Sequence, residues 1–329
     1  MEGALEQFAS ALGYITTTKV HPSFPFLIAP TLHAARISIA YQANARKSPG
    51  TLSWGTYTAG YLIMCWGGGL LSNFMLGLPP PMLYSFGPWI NYLTVHLVLT
   101  GLFTFFPALL HPPTFDTVLF PLDALVRATS VVSTVSNLYP SSSSYKQINP
   151  LYVNSALTHM ILGALASSGG GLAAGTLGAW TSQWGMSTPP VFRAGVGLWG
   201  SLDVWGGAYI GLSFLAFVIC DFVLTLRCVC VYYVALVYGV AMNHPAFKNF
   251  LPTVLSLPVV SHIVEAVYPG QVYALAKPAF GPVEARALGG VILTLLFGLR
   301  AYYTHWAGAS AAKATGAGKK SGKKAPGKA

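Results

Sequence analysis

Few residues of this chain could do chemistry in an apolar setting, and four of them fall on one face of a single stretch. Asp123, Arg127, Ser130 and Thr134 are separated by steps of four, three and four residues, which places them on the same side of an α-helix. Within a membrane, an ionisable side chain is costly unless it faces protein or water. The stripe therefore predicts the lining of a polar or lipid-binding path, or an Asp123–Arg127 pair that closes an internal helix contact.

Two runs of three glycines are a second feature that could belong to a functional site. They consist of Gly67, Gly68 and Gly69 and of Gly169, Gly170 and Gly171. Each glycine destabilises a helix by about 1 kcal/mol relative to alanine, so each run indicates a bend, a break or a very close contact between backbones. Interrupted helices at corresponding positions of two halves are typical of a permeation site, whereas small residues also allow tight helix packing. We expect helix breaks that line a pore.

Catalytic and metal-binding signatures are missing from the sequence. The patterns H-E-x-x-H, G-x-S-x-G and C-x-x-C do not occur, and these are the spacings that common hydrolytic, zinc and redox sites require. The pair Cys228 and Cys230 has neither the spacer nor the partner histidines of a zinc site. We therefore expect no catalytic residue, no enzyme activity, no cofactor and no metal.

The polar stripe and the glycine runs lie within or between long stretches of sequence that carry almost no charge. Only 8% of the 329 residues are charged, against about 25% in soluble domains. A helix needs about 20 residues to cross the hydrocarbon core, and five stretches reach or approach that length: residues 52–78, 88–110, 153–180, 196–218 and 287–303. The sequence predicts an all-α fold, a polytopic membrane helix bundle over residues 24–306, preceded by an N-terminal segment (1–23).

Two more spans are less uniformly apolar. Residues 24–44 contain Arg36, and residues 118–139 carry the polar stripe on one face of an amphipathic helix. Residues 191–242 contain no proline and could hold one crossing or two, so whether 212–242 cross the membrane stays open.

The first twenty residues lack the basic start and apolar core of a cleavable signal peptide.

Basic residues orient the bundle. Arg46 and Lys47 close the first span, and six of the eighteen Lys and Arg residues lie in the final segment, 307–329. Cytoplasmic loops are enriched in Lys and Arg, so we expect both regions in the cytosol, which requires an odd number of crossings, about seven. The lysine-rich tail has no large apolar residue and is expected to be disordered. Anionic lipid is the simpler partner for it, and we expect no nucleic acid.

Several segments together resemble the trimeric intracellular cation channels of endoplasmic and sarcoplasmic reticulum. The segments that carry the resemblance are Phe24-Pro25 and Ala45–Pro49 around the first span, Cys65–Gly67 and Leu76–Pro79 in the second, Phe120–Leu122 and Ser168–Gly171 in the fourth and fifth, and Arg300 and His305 before the lysines. One difference concerns the lysine–glutamate–valine motif of that family's fourth helix. The matching stretch here, residues 126–131, has Arg127 as its basic residue.

The resemblance implies seven helices. Two inverted repeats of three helices (about 24–111 and 115–227) would be followed by a connection (228–283) and a last helix (284–306). It also implies a homotrimer in the endoplasmic reticulum or another intracellular membrane, with a cytosolic C-terminal tail. The activity it implies is potassium conduction, which supplies counter-ion flow when calcium moves, with membrane lipids, anionic or phosphoinositide, as partners.

Two other classes of function remain as alternatives. A secondary transporter or lipid-handling protein could use the same glycine-rich helices as a substrate site, with Asp203 or Asp221 as the acid of a proton-coupled carrier. A non-conducting membrane scaffold would need neither the glycine runs nor Arg127.

Overall fold

The computed structural model describes residues 2–194 and 282–307, and most of them are helical. Several predictions concern residues outside these ranges: the span 196–218, the possible crossing at 212–242, Asp203 and Asp221, the connection 228–283 up to residue 281, and the tail after 307. The described α-helices are α1 (Glu2–Thr17), α2 (Ile28–Lys47), α3 (Trp54–Leu76), α4 (Gly87–Phe105), α5 (Pro112–Val135), α6 (Pro150–Val153), α7 (Ala156–Leu177) and α8 (Pro282–Tyr302).

Shorter elements join these helices. An antiparallel pair of strands, β1 (Lys19–His21) and β2 (Phe24–Leu27), precedes α2. A single 3₁₀ turn lies at each of five places: Pro81–Leu83, Pro107–Leu109, Ser136–Leu138, Tyr145–Gln147 and Pro190–Phe192. A π-helical turn, Tyr303–Ala307, ends the described part of α8. The helix α1 and the strand β1 occupy the N-terminal segment, for which the sequence indicated no particular structure. The strand β2 takes the first four residues of the span predicted over 24–44, so the helix begins only at Ile28.

The helices α3 and α7 begin and end with the same local signals. Ser53 and Ser155 are their N-caps, and each side chain accepts a hydrogen bond from a backbone N–H three residues later, at 3.2 Å. Gly77 and Gly178 follow the two helices with φ of 69° and 62°, the left-handed conformation that glycine adopts without a Cβ clash. These caps explain why both helices stop where they do.

Three of the described helices are long and apolar enough to cross a membrane: Trp54–Leu76, Pro112–Leu138 and Leu157–Leu177. The coarse prediction of an all-α fold is therefore confirmed, and the fold is compatible with an integral membrane protein. The helices α2, α4 and α8 have 20, 19 and 21 residues. They are not among these three candidate spans.

Side-chain contacts define the directions of the helices. In α2 and α4, Thr31 contacts Asn91 and Arg46 contacts Phe103, so these two helices are parallel. The helix α8 is antiparallel to α5, since His305 contacts Asp116 near the start of α5. The helices α3 and α7 cross in opposite directions and pack more closely than any other described pair.

Apolar side chains of α5, α7 and α8 form the largest cluster of the interior. It contains Ala124, Val131, Leu162, Leu293 and Phe297, all of them fully buried or nearly so. On the other side of α8, Leu12 of α1 packs against Ala287. The helix α8 is thus held between α5 and α1, and its polar residues are kept at a defined position beside α5.

Candidate functional site

The two glycine runs meet where α3 crosses α7. A Cβ atom built on Gly68 would collide with the carbonyl oxygen of Leu165, and one on Gly170 would collide with the carbonyl oxygen of Met64. A Cβ on Gly169 would lie 2.7 Å from the Cα of Gly68. No side chain other than hydrogen fits at these positions, so the two backbones touch directly, as small residues allow in membrane helices.

The prediction that Gly67–Gly69 and Gly169–Gly171 break their helices is wrong. Both α3 and α7 continue through their glycine runs without interruption. Close backbone contact, the other explanation for the glycines, accounts for Gly67, Gly68, Gly169 and Gly170. The packing of two backbones offsets the low helix propensity of glycine, because it brings many atoms into contact along the crossing.

A cavity of about 920 Å³ lies beside this crossing. Side chains of α2, α3, α5, α7 and α8 form its wall, and Gly68, Gly69, Gly170 and Gly171 border it. Gly69 and Gly171 face open space, with no atom within 4 Å of a built Cβ. The last glycine of each run therefore widens the cavity, while the others make the helix contact.

The polar stripe of α5 lies on the cavity wall over most of its length. Asp123, Arg127 and Ser130 line the cavity, followed by Ser133, whereas Thr134 is not among the lining residues. Ser130 and Ser133 are three residues apart, whereas a full turn of an α-helix takes 3.6 residues. The lining stripe therefore drifts around the helix and passes beside Thr134.

Three guanidinium groups surround the carboxylate of Asp123, which is only 4% exposed. Arg127 Nε lies 3.3 Å from Asp123 Oδ1, Arg36 Nε lies 3.9 Å from the same oxygen, and Arg300 NH2 lies 3.9 Å from Oδ2. These arginines belong to three different helices, α5, α2 and α8. The Asp123–Arg127 pair proposed as an internal contact is present, and it is part of a larger cluster.

Asp116, two turns earlier on α5, extends the cluster toward the end of α8. Arg36 NH2 donates a 2.8 Å hydrogen bond to Asp116 Oδ1, and His305 Nε2 lies 3.1 Å from Oδ2. Beside it, Trp306 Nε1 donates a hydrogen bond of 3.0 Å to Thr117 Oγ1. The π-helical turn at the end of α8 is thus attached to the first turns of α5 at one end of the cavity.

An aromatic ring fixes two of the arginines. The guanidinium carbon of Arg300 lies 4.6 Å from the centroid of the Phe297 ring, and that of Arg127 lies 5.3 Å from it. Phe297 is fully buried, and a desolvated cation–π contact contributes about 2 kcal/mol. The ring therefore holds both guanidinium groups on the cavity wall.

The main-chain oxygens next to the glycine run of α7 are already hydrogen bonded. Arg127 NH1 donates a 2.5 Å hydrogen bond to the Ser167 carbonyl oxygen, and Ser130 Oγ donates one of 3.1 Å to the Ala166 carbonyl oxygen. In α3, Asn73 Nδ2 donates to the Gly69 carbonyl oxygen at 2.8 Å. Oxygen ligands in this cavity would therefore come from side chains and water.

Sequence reasoning missed Arg36, Asp116, His305 and Ser167 as members of this site. Arg36 interrupts an apolar span, and an arginine at that depth predicts a buried acidic partner. Asp116 lies seven residues before Asp123, a spacing of two helical turns that could have extended the stripe. Nothing in the sequence around Ser167 indicates a role in the site, because a serine next to glycines is predicted to be one more small residue in a helix contact.

The described residues offer polar side chains but no metal cluster. Within residues 2–194 and 282–307, no three His, Cys, Asp or Glu side chains lie together as metal ligands would. Comparisons with protein-family models, with curated proteins and with solved structures found no match. The wall of the cavity carries paired charges, hydroxyl groups and amides.

Proposed function

We propose that this protein is a channel for monovalent cations, potassium above all, of the trimeric intracellular cation channel type, in the endoplasmic reticulum or another intracellular membrane. The observation that carries the proposal is the cavity of about 920 Å³, which is lined by all three helices that are apolar enough to cross a membrane and has Ser130, Asn73 and the Arg–Asp cluster on its wall. Each subunit of a homotrimer would have its own path. Water in the cavity and side-chain oxygens would replace part of the hydration shell of the ion.

Helix directions support the two inverted repeats of this proposal. The first helices of the two halves, α2 and α5, run in opposite directions, and so do the second helices, α3 and α7. This is the relation expected of inverted repeats. The end of α7 and the start of α8 lie at opposite ends of the bundle, which agrees with the proposed total of seven crossings.

The distribution of basic residues supports a cytosolic tail. Arg46 bonds the Phe103 carbonyl oxygen at the end of α4, and His305, before the lysine-rich segment, contacts Asp116 near the start of α5. The connection between α4 and α5 is short, so both basic ends lie on the same side of the bundle. Basic residues gather on the cytoplasmic side of membrane proteins. We therefore place this end of the cavity in the cytosol and propose anionic lipids as partners there.

A flux measurement tests the proposal. Purified protein in liposomes should release potassium faster than empty liposomes, and planar bilayers should show unitary currents. Gly171 borders the cavity and Gly101 in α4 does not, yet both have open space where a Cβ would lie. Gly171→Phe should therefore reduce the current strongly, and the control Gly101→Phe should leave it near the wild-type value.

The outcome that contradicts the proposal is equally specific. Wild-type protein that carries no potassium current, with anionic or phosphoinositide lipid and with calcium on either side, does not have this function. Equal loss of current in the two phenylalanine variants would show that the path lies elsewhere.

A second candidate function, handling of an anionic lipid or solute, is favoured by one observation. Three guanidinium groups converge on the single carboxylate of Asp123, an arrangement that suits a phosphate or carboxylate guest. A transporter or lipid-handling protein would bind such a guest in the cavity without conducting potassium. Binding of a fluorescent phosphoinositide to the purified protein, together with absent current, would favour this function over a channel.

A further inference from the structure

The cavity follows α2 over most of its length. The α2 residues that line it recur every three or four positions between Ala29 and Lys47, which places them on one face of the helix. Between these two residues an α-helix rises about 27 Å, at 1.5 Å per residue, and the hydrocarbon core of a membrane is about 30 Å thick. The cavity is therefore long enough to lead most of the way across a membrane.

A layer of charged side chains lies near the middle of this stretch. Its members are Arg36 of α2, Asp116, Asp123 and Arg127 of α5, and Arg300 of α8. Arg36 contacts both carboxylates, and Arg127 bonds Asp123 and a carbonyl oxygen of α7. The charged layer thus links four walls of the cavity. Along α2 it lies between two other lining residues, His33 and Asn44.

Positive charge is in excess within the charged layer. Three guanidinium groups face two carboxylates among the described residues. Fixed positive charges on the wall of a pore repel cations and favour anions. The charged layer, as arranged here, is therefore a barrier to a cation that moves along the cavity, and conduction requires the excess to be removed.

Arg36 is the member of the charged layer that is most easily released. The guanidinium groups of Arg127 and Arg300 both lie against the buried ring of Phe297. Among the described residues, the shortest polar contact of Arg36 is the 2.8 Å bond to Asp116, whose side chain is 36% exposed. Water competes for an ion pair that it can reach, so such a pair holds its members weakly. Without Arg36, two guanidinium groups would face two carboxylates, and the excess would be gone.

We propose that Arg36 is the gating residue of the cavity. Bound to Asp116 and beside Asp123, it closes the path to cations, and its release from Asp116 opens the path. This inference rests on the proposed channel function and adds to it the residue that opens and closes the path. The structure then corresponds to the closed state.

Two basic residues of α2 provide the test variant and its matched control. Arg36 and Lys47 both line the cavity, but Lys47 is exposed at the end of the helix and has no ion pair with a described residue. Arg36→Gln should raise the ratio of open to closed time in planar bilayers about fivefold or more, which corresponds to about 1 kcal/mol. It should also increase the permeability of potassium relative to chloride. Lys47→Gln should change both quantities by less than about twofold, because its charge is exposed to water.

Asp116→Asn separates the loss of a bond from a change in charge. The substitution removes the carboxylate that holds Arg36, but it adds to the positive excess of the charged layer. The ratio of open to closed time should therefore rise, as in Arg36→Gln, while the current through each open channel should fall. The two substitutions change the net charge in opposite directions, so more frequent opening in both cannot result from charge alone.

A labelling experiment separates this inference from the channel proposal. Single cysteines, Asn44→Cys or Asn73→Cys, are placed on the cavity wall on opposite sides of the charged layer. The background has alanine in place of Cys65, Cys220, Cys228 and Cys230. Sealed microsomes, in which all copies share one orientation, are treated from outside with an impermeant cationic methanethiosulfonate reagent. With Arg36 present, one of the two cysteines should react and the other should be protected, and in the Arg36→Gln background both should react.

The combined results decide each proposal. If wild type conducts but Arg36→Gln does not differ from Lys47→Gln, the gating role of Arg36 is refuted and the channel stands. Equal labelling of the two cysteines with Arg36 present would also refute it, because the charged layer would then close nothing. If no variant conducts but Arg36→Gln opens the protected cysteine to the reagent, the channel proposal fails, and Arg36 still closes a cavity for another guest. No current together with unchanged labelling would refute both proposals.

Discussion

Alanine substitutions within one glycine run test whether the crossing depends on backbone contact. Gly170 touches the Met64 carbonyl oxygen so closely that an added methyl group would lie roughly 1 Å inside ordinary van der Waals contact. Gly171, the next residue, has open space at the same position. Both residues are helical and share the same neighbourhood in the sequence, so the two substitutions differ in helix packing alone.

The expected magnitudes follow from two opposing effects. Glycine to alanine in a helix is favourable by about 1 kcal/mol, and this gain is common to both positions. At Gly170 the two helices must separate, and overpacking of this kind costs about 1–3 kcal/mol. We therefore expect Gly171→Ala to raise the free energy of unfolding by up to about 1 kcal/mol and Gly170→Ala to lower it by up to about 2 kcal/mol.

The assay is unfolding of the purified protein in mixed detergent micelles, followed by tryptophan fluorescence and compared with wild type. The pair Gly68→Ala and Gly69→Ala repeats the comparison on α3, because Gly68 contacts Leu165 and Gly69 faces open space. Equal effects within each pair would refute the packing argument. Stabilisation at Gly170 would refute it more strongly, since it would show that the helices do not touch there.

Three further substitutions test other contacts by the same unfolding measurement. Asp123→Asn should be more destabilising than Asp116→Asn, because Asp123 is 4% exposed and faces three guanidinium groups whereas the Asp116 side chain is 36% exposed; equal effects would contradict a central role for Asp123. Arg46→Ala should cost about 1 kcal/mol, because its guanidinium donates to the Phe103 carbonyl oxygen in the last turn of α4 and to the Pro107 carbonyl oxygen just after it; the neighbouring Lys47→Ala should be nearly neutral. Tyr61→Phe should cost about 1–3 kcal/mol, because the buried hydroxyl donates to the Ala34 and Tyr92 carbonyl oxygens; no loss of stability would show that these bonds contribute nothing.

Local signals explain why much of the helical layout could be predicted from the sequence. The prolines at 79–81 and 112–113 and the glycines at 77 and 178 end or begin helices for reasons that are local to the backbone. The predicted span 52–78 corresponds to α3, and 153–180 contains α7. These boundaries needed no knowledge of the neighbouring helices.

The site itself depended on contacts that no local pattern contains. A glycine run lowers helix propensity equally whether it breaks a helix or allows another helix to approach, and only the position of α7 distinguishes the two. In the same way, Arg36 and Arg300 are far apart in the sequence, and their convergence on Asp123 follows from the packing of α2 and α8 against α5. The stripe on α5 was predictable because its members share one helix.

The glycine crossing and the cavity have one physical origin. Where α3 and α7 touch backbone to backbone, Gly68 and Gly170 leave no room for side chains between the helices, and on the cavity side Gly69 and Gly171 contribute none either. The polar groups that border this space come from the facing helix α5, whose Arg127 and Ser130 bond the carbonyl oxygens of α7. A polar path can therefore exist beside two continuous helices, because missing side chains create the space and neighbouring side chains supply the polar atoms. Helix breaks are not required for such a path.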